Sequence, residues 1–505
     1  MSRIVDVPAQ AVLTPYTGVF ASNLPETDAT AWSAATNYVI GNRVMIAGTT
    51  HKVWEAVGAN LNKDPLLAVN VYSATNPTGV WLYVGFTNRW RIFDGSISGG
   101  SDAGALDNLY WILGAGSDLA VPAPPSSMAL MNVSGKELVV YRRNSNVAQI
   151  NFAERSEGFN QTSAWTAILS TLTADFGRDP LLLSNADQVL ETVTASEKGV
   201  DSIGSRAYTT GNTYTISVYA KRAATGTGRN LRLTMPTGAF GASFGNFTLS
   251  GAGTAVSGAG AVTAAIVALA GGWYRCSVTK IATASTTTTV GSFRILDAAL
   301  SATYTGATNS GLLVFGFQNN DGTLAAYQGM GVAGTWYDRT LLKYVDWAAI
   351  TDTLFSADIY VSIPTPLFTD QFDVFVQRRA IPSSAPTLGE VVFGYEDITL
   401  GELIEPVESG FLDFSVKSRD DFGNLVLKQR NLADDTNYAF TIVKSQRQTV
   451  KTIIRSRRAV PLMFWESDDP DNLWGLLTYG FIRGYSMPAL GADTNLVTLD
   501  TEGFT

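Results

Sequence analysis

The residues on which many enzyme sites depend are scarce in this chain, which has one histidine, His51, and one cysteine, Cys276. A serine or cysteine triad needs a base between its nucleophile and its carboxylate. Only His51 could serve as that base, and no Ser or Cys elbow is evident beside it. A zinc site of His and Cys ligands needs more than two such residues, and no phosphate-binding or dinucleotide-binding glycine loop stands between a strand and a helix. We therefore predict no catalytic residues, no metal site and no cofactor.

Acidic residues leave two other chemistries open. Glycoside hydrolysis needs only two carboxyl groups at a suitable separation, and a sequence does not reveal separations. The acidic run 466–471 offers oxygen ligands of the kind that calcium binds, but Pro470 interrupts the spacing of its aspartates. We interpret the run as an exposed loop. We expect the protein not to be an enzyme, and the alternative is a glycan-degrading enzyme with paired carboxylates.

Four aromatic residues of one short segment, Trp32, Tyr38, Trp54 and Trp81, form the strongest candidate binding set. A domain of about fifty residues cannot build a large aliphatic core, so aromatic rings must supply much of it. Rings that instead lie flat on the surface can stack on the face of a pyranose. We expect at least half of these four rings to be core.

Composition narrows the choice of partners. Charged residues make up 16% of the 505 residues and the net charge is −9, whereas about a quarter of residues is charged in typical soluble proteins. An acidic balance does not favour nucleic acid or an anionic membrane as a partner. No apolar run approaches the length of a spanning helix, and the N-terminal residues show no secretory leader. We expect synthesis in a cytoplasm, no nucleic-acid partner and no membrane insertion.

Short alternating runs of apolar and polar residues, among them 213–221 and 273–280, are typical of antiparallel strands. Helical periodicity is scarce. The i, i+3, i+4 spacing of apolar residues that begins at Val450 predicts a helix over 445–458. The predicted fold class is therefore mainly β and multidomain, with β-sandwich or jelly-roll modules and a C-terminal α+β domain.

Shifts in composition divide the chain into segments. Residues 1–30 are predicted to be an irregular N-terminal arm and 31–86 a small aromatic module. Residues 87–149 and 334–505 share longer apolar strands and more charge, whereas 150–333 is rich in Ala, Gly, Thr and Ser. We predict that the two flanking stretches form one discontinuous domain and that 150–333 is a sandwich inserted into it.

The small aromatic module resembles the short chitin-binding type of carbohydrate-binding module. The matching pattern is a Trp, then Tyr, Gly and Val, then an aromatic strand and a closing Trp. In this chain the pattern consists of Trp32, Tyr38, Gly41, Val44, His51, Trp54, Pro65 and Trp81. The resemblance implies a sugar-binding fold of about fifty residues, with carbohydrate binding at Trp32, Tyr38, Trp54 and Trp81. Modules of this type also serve as plain spacers.

The predicted insert resembles a jelly-roll domain of phage tail proteins, which is distantly like glycan-binding modules. Four landmarks occur in order: 151–165, 211–221, 272–278 and 312–327. The resemblance implies a two-sheet sandwich that holds a sugar on one concave face. A sandwich of this size needs large rings inside. We therefore predict that Trp165, Trp273, Tyr274 and Cys276 are core residues.

Three runs resemble tail-tip and baseplate proteins of long-tailed bacteriophages. They are Asn-Arg-Trp-Arg-Ile-Phe-Asp-Gly at 88–95, the run 410–424 that ends in Asp-Asp-Phe-Gly-Asn, and the terminal strand 499–504. The resemblance implies a tail-ring-type assembly domain. Charged residues near these runs either cross subunit interfaces or form a solvated hairpin. The predicted assembly-interface residues are Arg89, Arg91, Asp413, Lys417, Arg419 and Asp421.

These resemblances lead to a functional expectation. The protein is expected to be a structural subunit of a phage tail tip or baseplate, located in the virion and made in the host cytoplasm. Its expected partners are other tail proteins, copies of itself and host-surface polysaccharide. Homo-oligomerisation is expected from virion symmetry, and repeated weak sugar sites would gain avidity. The alternatives are a tail-associated glycan depolymerase and a bacterial adhesin, against which the missing leader argues.

Overall fold

The chain folds into two compact units, Met1–Arg142 with Leu341–Thr505, and Arg143–Thr340. The predicted insert, 150–333, lies within the second unit. Two strands, Glu137–Asn144 and Trp336–Asp346, carry the chain across the boundary between the units. The computed structural model describes residues 2–6, 19–46, 50–94, 100–114, 124–331, 335–350, 355–379, 385–394, 396–403, 408–419, 425–428, 432–458, 460–465, 477–488 and 493–504.

The second unit is a sandwich of two six-stranded antiparallel sheets. The first sheet has, in spatial order, the strands Trp165–Ile168, Gly199–Ser202, Ser292–Leu296, Asn230–Thr234, Phe244–Thr248 and Thr254–Ser257. The second sheet has the strands Ser170–Gly177, Ala186–Glu191, Gly311–Asp321, Thr213–Arg222, Tyr274–Ile281 and Thr263–Ala268. Leu231 and Phe293 of the first sheet pack against Ile216 and Phe317 of the second in one buried core. Alternation along these strands places every second side chain in that core.

Shorter elements complete this unit. They are the paired strands Ala195–Ser196 with Tyr304–Thr305 and Ser205–Tyr208 with Thr286–Thr289, the strand Gly329–Met330, the helix Thr237–Phe240 and the 3₁₀ turn Ala270–Gly272.

The core predictions for the sandwich are confirmed. Trp165, Tyr274 and Cys276 lie in the main core, and the Cys276 thiol is free and fully buried. Trp273 is buried in a smaller cluster with Tyr219. Tyr219 alternates with core residues of its strand, so this cluster lies on the outer side of the second sheet and covers part of it.

The first unit contains a sheet of long strands and a three-stranded sheet. The first of these has, in spatial order, the strands Val19–Ser22, Asn108–Gly114, Gln371–Gln377, Glu137–Asn144 and Trp336–Asp346. The three-stranded sheet has the order Ala357–Ser362, Ser127–Val133, Glu390–Gly394. Trp111 and Val374 of the long-stranded sheet pack against Met128, Leu130 and Ile359 of the three-stranded sheet. Residues from both sides of the insert therefore build one core.

The C-terminal part of this unit is a seven-stranded antiparallel sheet with one helix packed on it. Its strands are, in spatial order, Glu396–Leu403, Ser2–Asp6, Leu462–Trp465, Leu477–Ser486, Thr494–Gly503, Leu432–Val443 and Glu408–Asp413. The helix is Arg447–Ser456, which confirms the helix predicted over 445–458. Val450 and Ile454 bury one helix face against Phe440 and Leu499 of the sheet, as amphipathic spacing requires.

The prediction of an irregular N-terminal arm is wrong. Ser2–Asp6 pairs with Glu396–Leu403 and with Leu462–Trp465, and Val19–Ser22 pairs with Asn108–Gly114. The physical reason is that strand pairing satisfies backbone hydrogen bonds, on both edges of Ser2–Asp6 and on one edge of Val19–Ser22. Short strands of this kind carry no alternation long enough to reveal them in a sequence.

The small module lies in the first unit and is built on a four-stranded sheet with the order Thr30–Ala31, Arg43–Ile46, Lys52–Ala56, Trp81–Phe86. The first pair of strands is parallel and the others are antiparallel. The remaining short elements of the first unit are the paired strands Asn37–Tyr38 with Asn60–Leu61, Ser101–Asp102 with Thr387–Leu388 and Val416–Arg419 with Leu425–Lys428, and the 3₁₀ turns Ala68–Asn70, Asn88–Phe93 and Lys444–Gln446.

The predicted fold class is confirmed, because the structure is mainly β, with a sandwich and a C-terminal α+β region. None of the helices in the described ranges has the length and apolar character needed to cross a membrane.

Candidate functional site

The small module has an open groove of about 670 Å³, a volume in the range of about 300–1,000 Å³ that is typical of ligand sites. One wall is the strand Lys52–Ala56 and the other is the segment 65–76. The lining residues are Lys52, Trp54, Pro65, Leu66, Ala68, Val69, Val71, Ser73, Thr75 and Asn76. The groove therefore combines an apolar wall with hydroxyl and amide groups and a single ammonium group.

Side-chain amides hold the segment 65–76 in place. The amide nitrogen of Asn76 donates to the carbonyl oxygens of Val71 at 2.7 Å and Val69 at 3.1 Å. The amide nitrogen of Asn70 donates to the carbonyl oxygen of Asp64 at 2.9 Å. These bonds replace the backbone partners that a regular element would supply, so the groove wall is fixed without a long strand or helix.

A glycine lets the segment 65–76 approach the sheet closely. A Cβ atom at Gly79 would lie 2.3 Å from the backbone nitrogen of Tyr72, far inside contact distance. Beside it, the backbone N–H of Tyr72 donates to the carbonyl oxygen of Trp81 at 2.7 Å. A larger residue at position 79 would push the groove wall away from the strand Trp81–Phe86.

The four predicted sugar-binding rings have different environments. Trp81, Tyr38 and Trp54 are only 0%, 5% and 6% exposed, and they form the module's core. Trp32 is half-buried and packs against that core. The prediction that Tyr38 and Trp81 stack on a sugar is therefore wrong, because a module this small uses its largest rings as its interior. Trp54 is also a core residue, but it lines the groove.

Polar contacts confirm the structural role of Tyr38 and Trp81. The indole N–H of Trp81 donates to the carbonyl oxygen of Lys63 at 2.6 Å. The hydroxyl of Tyr38 accepts the backbone N–H of Ser33 at 2.8 Å. Both rings thus have buried apolar faces and satisfied polar atoms.

Tyr83 was missed in the sequence and is the more exposed aromatic neighbour of Trp54. The two residues lie directly opposite each other on adjacent strands, with ring centroids 5.4 Å apart, and Tyr83 is 39% exposed. Burial, with a smaller effect of the Asp94 charge, raises the pKa of Tyr83 to about 12. Its hydroxyl therefore remains a hydrogen-bond donor at neutral pH. Its spacing of two residues from Trp81 was the available sequence clue, since such residues share a sheet face.

Lys52 supplies the groove's ammonium group. Its Nζ atom lies 5.2 Å from the ring centroid of Tyr83 and 5.9 Å from that of Phe86. Contacts of this kind stabilise a cation without neutralising its charge. None of the ten lining residues is acidic.

His51 has a structural environment. Its ring stacks on Trp90 with centroids 4.0 Å apart, and its Nδ1 atom lies 2.8 Å from a carboxylate oxygen of Glu26. The hydroxyl of Thr87 donates to the same oxygen at 2.8 Å. The only imidazole of the chain thus joins the small module to the segment that follows it.

The two predicted assembly arginines near the module make contacts within the chain. The Nε atom of Arg89 donates to the carbonyl oxygen of Leu24 at 2.6 Å, and that of Arg91 approaches the carbonyl oxygen of Phe86 at 3.5 Å. These contacts position the turn Asn88–Phe93. They leave the assembly role of both residues a prediction.

Of the other predicted assembly residues, Lys417 and Arg419 belong to the strand Val416–Arg419, which pairs with Leu425–Lys428, and Asp413 precedes it. Asp413 is exposed, and its carboxylate accepts the backbone N–H of Ser415 at 2.8 Å. The side chains of Lys417 and Arg419, the whole of Asp421 and the acidic run 466–471 lie outside the described residues. Their predicted roles stay predictions.

The strongest carboxylate candidates of the sandwich are interior groups. Asp187 accepts the backbone N–H groups of Phe159 at 2.7 Å and Asp175 at 3.0 Å. Asp179 accepts those of Leu181 at 2.7 Å and Leu183 at 3.0 Å. Both side chains are buried, and their bonds hold loops.

The stability of the sandwich is expected to fall as the pH rises from about 4, near the unfolded-state pKa of an aspartate, to about 8, and to level off above that. Burial raises the pKa of Asp187 to about 7 and that of Asp179 to about 8. A raised carboxyl pKa stabilises the fold while the group is protonated, and that stability is lost as the pH passes through the folded-state value. Asp179→Asn keeps the acceptor oxygen and removes the charge, so its thermal unfolding should depend less on pH than that of the native protein.

Asp321→Asn is the control for this measurement, because the Asp321 side chain is 65% exposed. Equal pH dependence in the Asp179→Asn variant and the native protein would contradict the prediction.

Within the described ranges, no three His, Cys, Asp or Glu side chains are grouped so as to hold a metal ion. No protein-family model matches the chain, and no curated protein matches it.

Proposed function

We propose that the chain is a non-enzymatic structural subunit of the tail tip or baseplate of a long-tailed bacteriophage, and that the groove of its small module binds host-surface glycans. The observation that carries the glycan-binding part is the groove itself, with the Trp54 ring, an apolar wall and a hydroxyl-bearing rim in one open site.

The chemistry of the groove suits a saccharide. The exposed side chains of Leu66 and Val69 offer apolar surface to the C–H face of a pyranose. The hydroxyls of Ser73 and Thr75 lie 3.1 Å apart at the rim and are both exposed. Apolar contact with a few placed polar groups is the usual composition of small-ligand sites.

The assembly part of the proposal rests on the resemblance and on the shared core of the flanking stretches. Ser127–Val133 pairs with Ala357–Ser362 and with Glu390–Gly394, which lie beyond the insert. A continuous core of this kind suits a rigid assembly platform. In a virion with several copies of the chain, weak single sites would act together through avidity. The partners in this proposal are other tail proteins, copies of the chain and host polysaccharide.

Replacing two apolar groove residues should weaken glycan binding by about tenfold, which corresponds to about 1.4 kcal/mol. The test variant is Leu66→Gln/Val69→Gln, whose side chains are 45% and 74% exposed. The matched control is Val39→Gln/Ile40→Gln, with side chains 59% and 72% exposed in the same module and outside the groove. Binding of the full chain is measured on a panel of immobilised host-surface oligosaccharides.

Equal losses in the test and control variants would contradict the groove assignment. Release of new reducing ends from the polysaccharide by purified protein would instead favour the glycan-degrading alternative. Location of the chain outside the distal tail, in cryo-electron microscopy of intact particles, would contradict the proposed assembly role.

A further inference from the structure

We infer that the groove selects acidic saccharides, with the anionic group of the sugar placed against the ammonium group of Lys52. This inference deepens the proposed function and rests on it. It assigns a ligand class, sugars that bear a carboxylate or a phosphate, to a site whose fold alone would suit neutral glycans equally well.

The first support is the charge state of the lining. Lys52 is the single charged residue among the ten that line the groove. In the part of the chain that the structure describes, its ammonium group forms no ion pair, and its neighbours are the rings of Tyr83 and Phe86. An anionic ligand would therefore meet one cation and no carboxylate within the groove.

The second support is that acidic side chains of the same module are already engaged. Glu55 pairs with Arg43 at 2.8 Å. The carboxylate of Asp64 accepts the backbone N–H of Leu66 at 2.8 Å. Neither carboxylate therefore has Lys52 as its partner in these contacts.

The third support is the contrast between the positive charge in the groove and the negative net charge of the whole chain. The net charge is −9, so long-range electrostatics disfavour an anionic polymer. Charges more than about 10 Å apart are largely screened at 0.1 M salt, so the ammonium group inside the groove has more weight for a bound ligand than the net charge of the chain. A cation without an ion-pair partner, beside an apolar wall, offers an acidic pyranose both a charge contact and a stacking surface at once.

The test compares an acidic saccharide with its uncharged ester and adds a phosphorylated saccharide as a second acidic probe. The probes are trigalacturonate, its methyl ester and a phosphorylated mannose oligomer, titrated into the full chain and into the Lys52→Gln variant. We expect the native chain to bind trigalacturonate about fivefold more tightly than the ester, as a partly exposed charge contact provides. Lys52→Gln should remove this preference for trigalacturonate over the ester and leave the affinity for the ester unchanged.

Lys63→Gln is the matched control, because Lys63 is an exposed lysine of the same module that does not line the groove. The Lys63→Gln variant should keep the native preference for trigalacturonate over its ester. Glutamine at position 52 retains most of the side-chain length, and unchanged binding of the ester would show that the groove is intact.

The outcomes separate the two proposals. Measurable binding of both trigalacturonate and its ester, with equal affinity for the native chain, overturns the charge inference and leaves glycan binding supported. Loss of the preference for trigalacturonate in Lys63→Gln as well as in Lys52→Gln also overturns the charge inference. Failure of every saccharide to bind overturns the glycan-binding function itself. Lys52-dependent binding of the phosphorylated oligomer alone supports the inference and identifies phosphate as the recognised group.

Discussion

Arg229→Met is expected to destabilise the sandwich by about 3–5 kcal/mol, because it breaks a buried ion pair and leaves one charge unpaired. Three hydrogen bonds join Arg229 to Glu191, at 3.0, 3.0 and 2.6 Å. Both side chains are buried. Glu191 also accepts the hydroxyl of Tyr304 and the backbone N–H of Ala307, so its carboxylate would remain inside the fold without its main counter-charge.

Hydrogen exchange localises this effect in the full chain, because a chain of more than one compact unit need not unfold in a single step. Protection should fall in the strands Ala186–Glu191 and Asn230–Thr234. The control is Arg294→Met, whose partners Asp201 and Glu197 are 39% and 49% exposed. Partly exposed pairs of that kind contribute about 0–1 kcal/mol.

A second variant distinguishes the lost charge balance from lost packing. Arg229→Met/Glu191→Met removes both charges, so it should be less destabilised than Arg229→Met alone. A double variant that loses more stability than the single one would show that packing of the two side chains, rather than the unpaired carboxylate, dominates.

Trp81→Ala is expected to destabilise the small module by about 3–5 kcal/mol, the usual range for removal of a fully buried tryptophan ring. Trp81 makes an edge contact with Tyr38 at 5.1 Å between ring centroids. Its backbone also anchors the segment 65–76 through the bond from Tyr72. Because a module of this size has few other core rings, it should unfold locally and lose the groove with it.

The measurement combines glycan binding with hydrogen exchange in the strands Lys52–Ala56 and Trp81–Phe86. Tyr72→Ala is the control, because the Tyr72 side chain is exposed, and its effect on stability should stay within about 0.5 kcal/mol. Retention of both exchange protection and glycan binding in Trp81→Ala would show that the ring is not the centre of this core.

The candidate site was only partly predictable. The aromatic pattern located the module and included Trp54, which lines the groove. It did not reveal that Tyr38 and Trp81 would be interior, or that Lys52 and the segment 65–76 would form the rest of the site. The position of the segment 65–76 depends on which face of the sheet it covers. The residues of that segment show no regular periodicity from which the covered face could be predicted.

The sequence by itself determined the fold class, because alternation over 213–221 and 273–280 and the apolar stripe of the helix are local patterns with fixed periods. Each of these predicted elements is present. It also determined the core positions of Trp165 and Tyr274, since large rings on alternating strands belong inside a sandwich. Only the tertiary structure decided the pairing of Ser2–Asp6 with Leu462–Trp465, the burial of Asp187 and the shape of the groove. Strand pairing and burial join residues that lie far apart in the chain, so no local pattern encodes them.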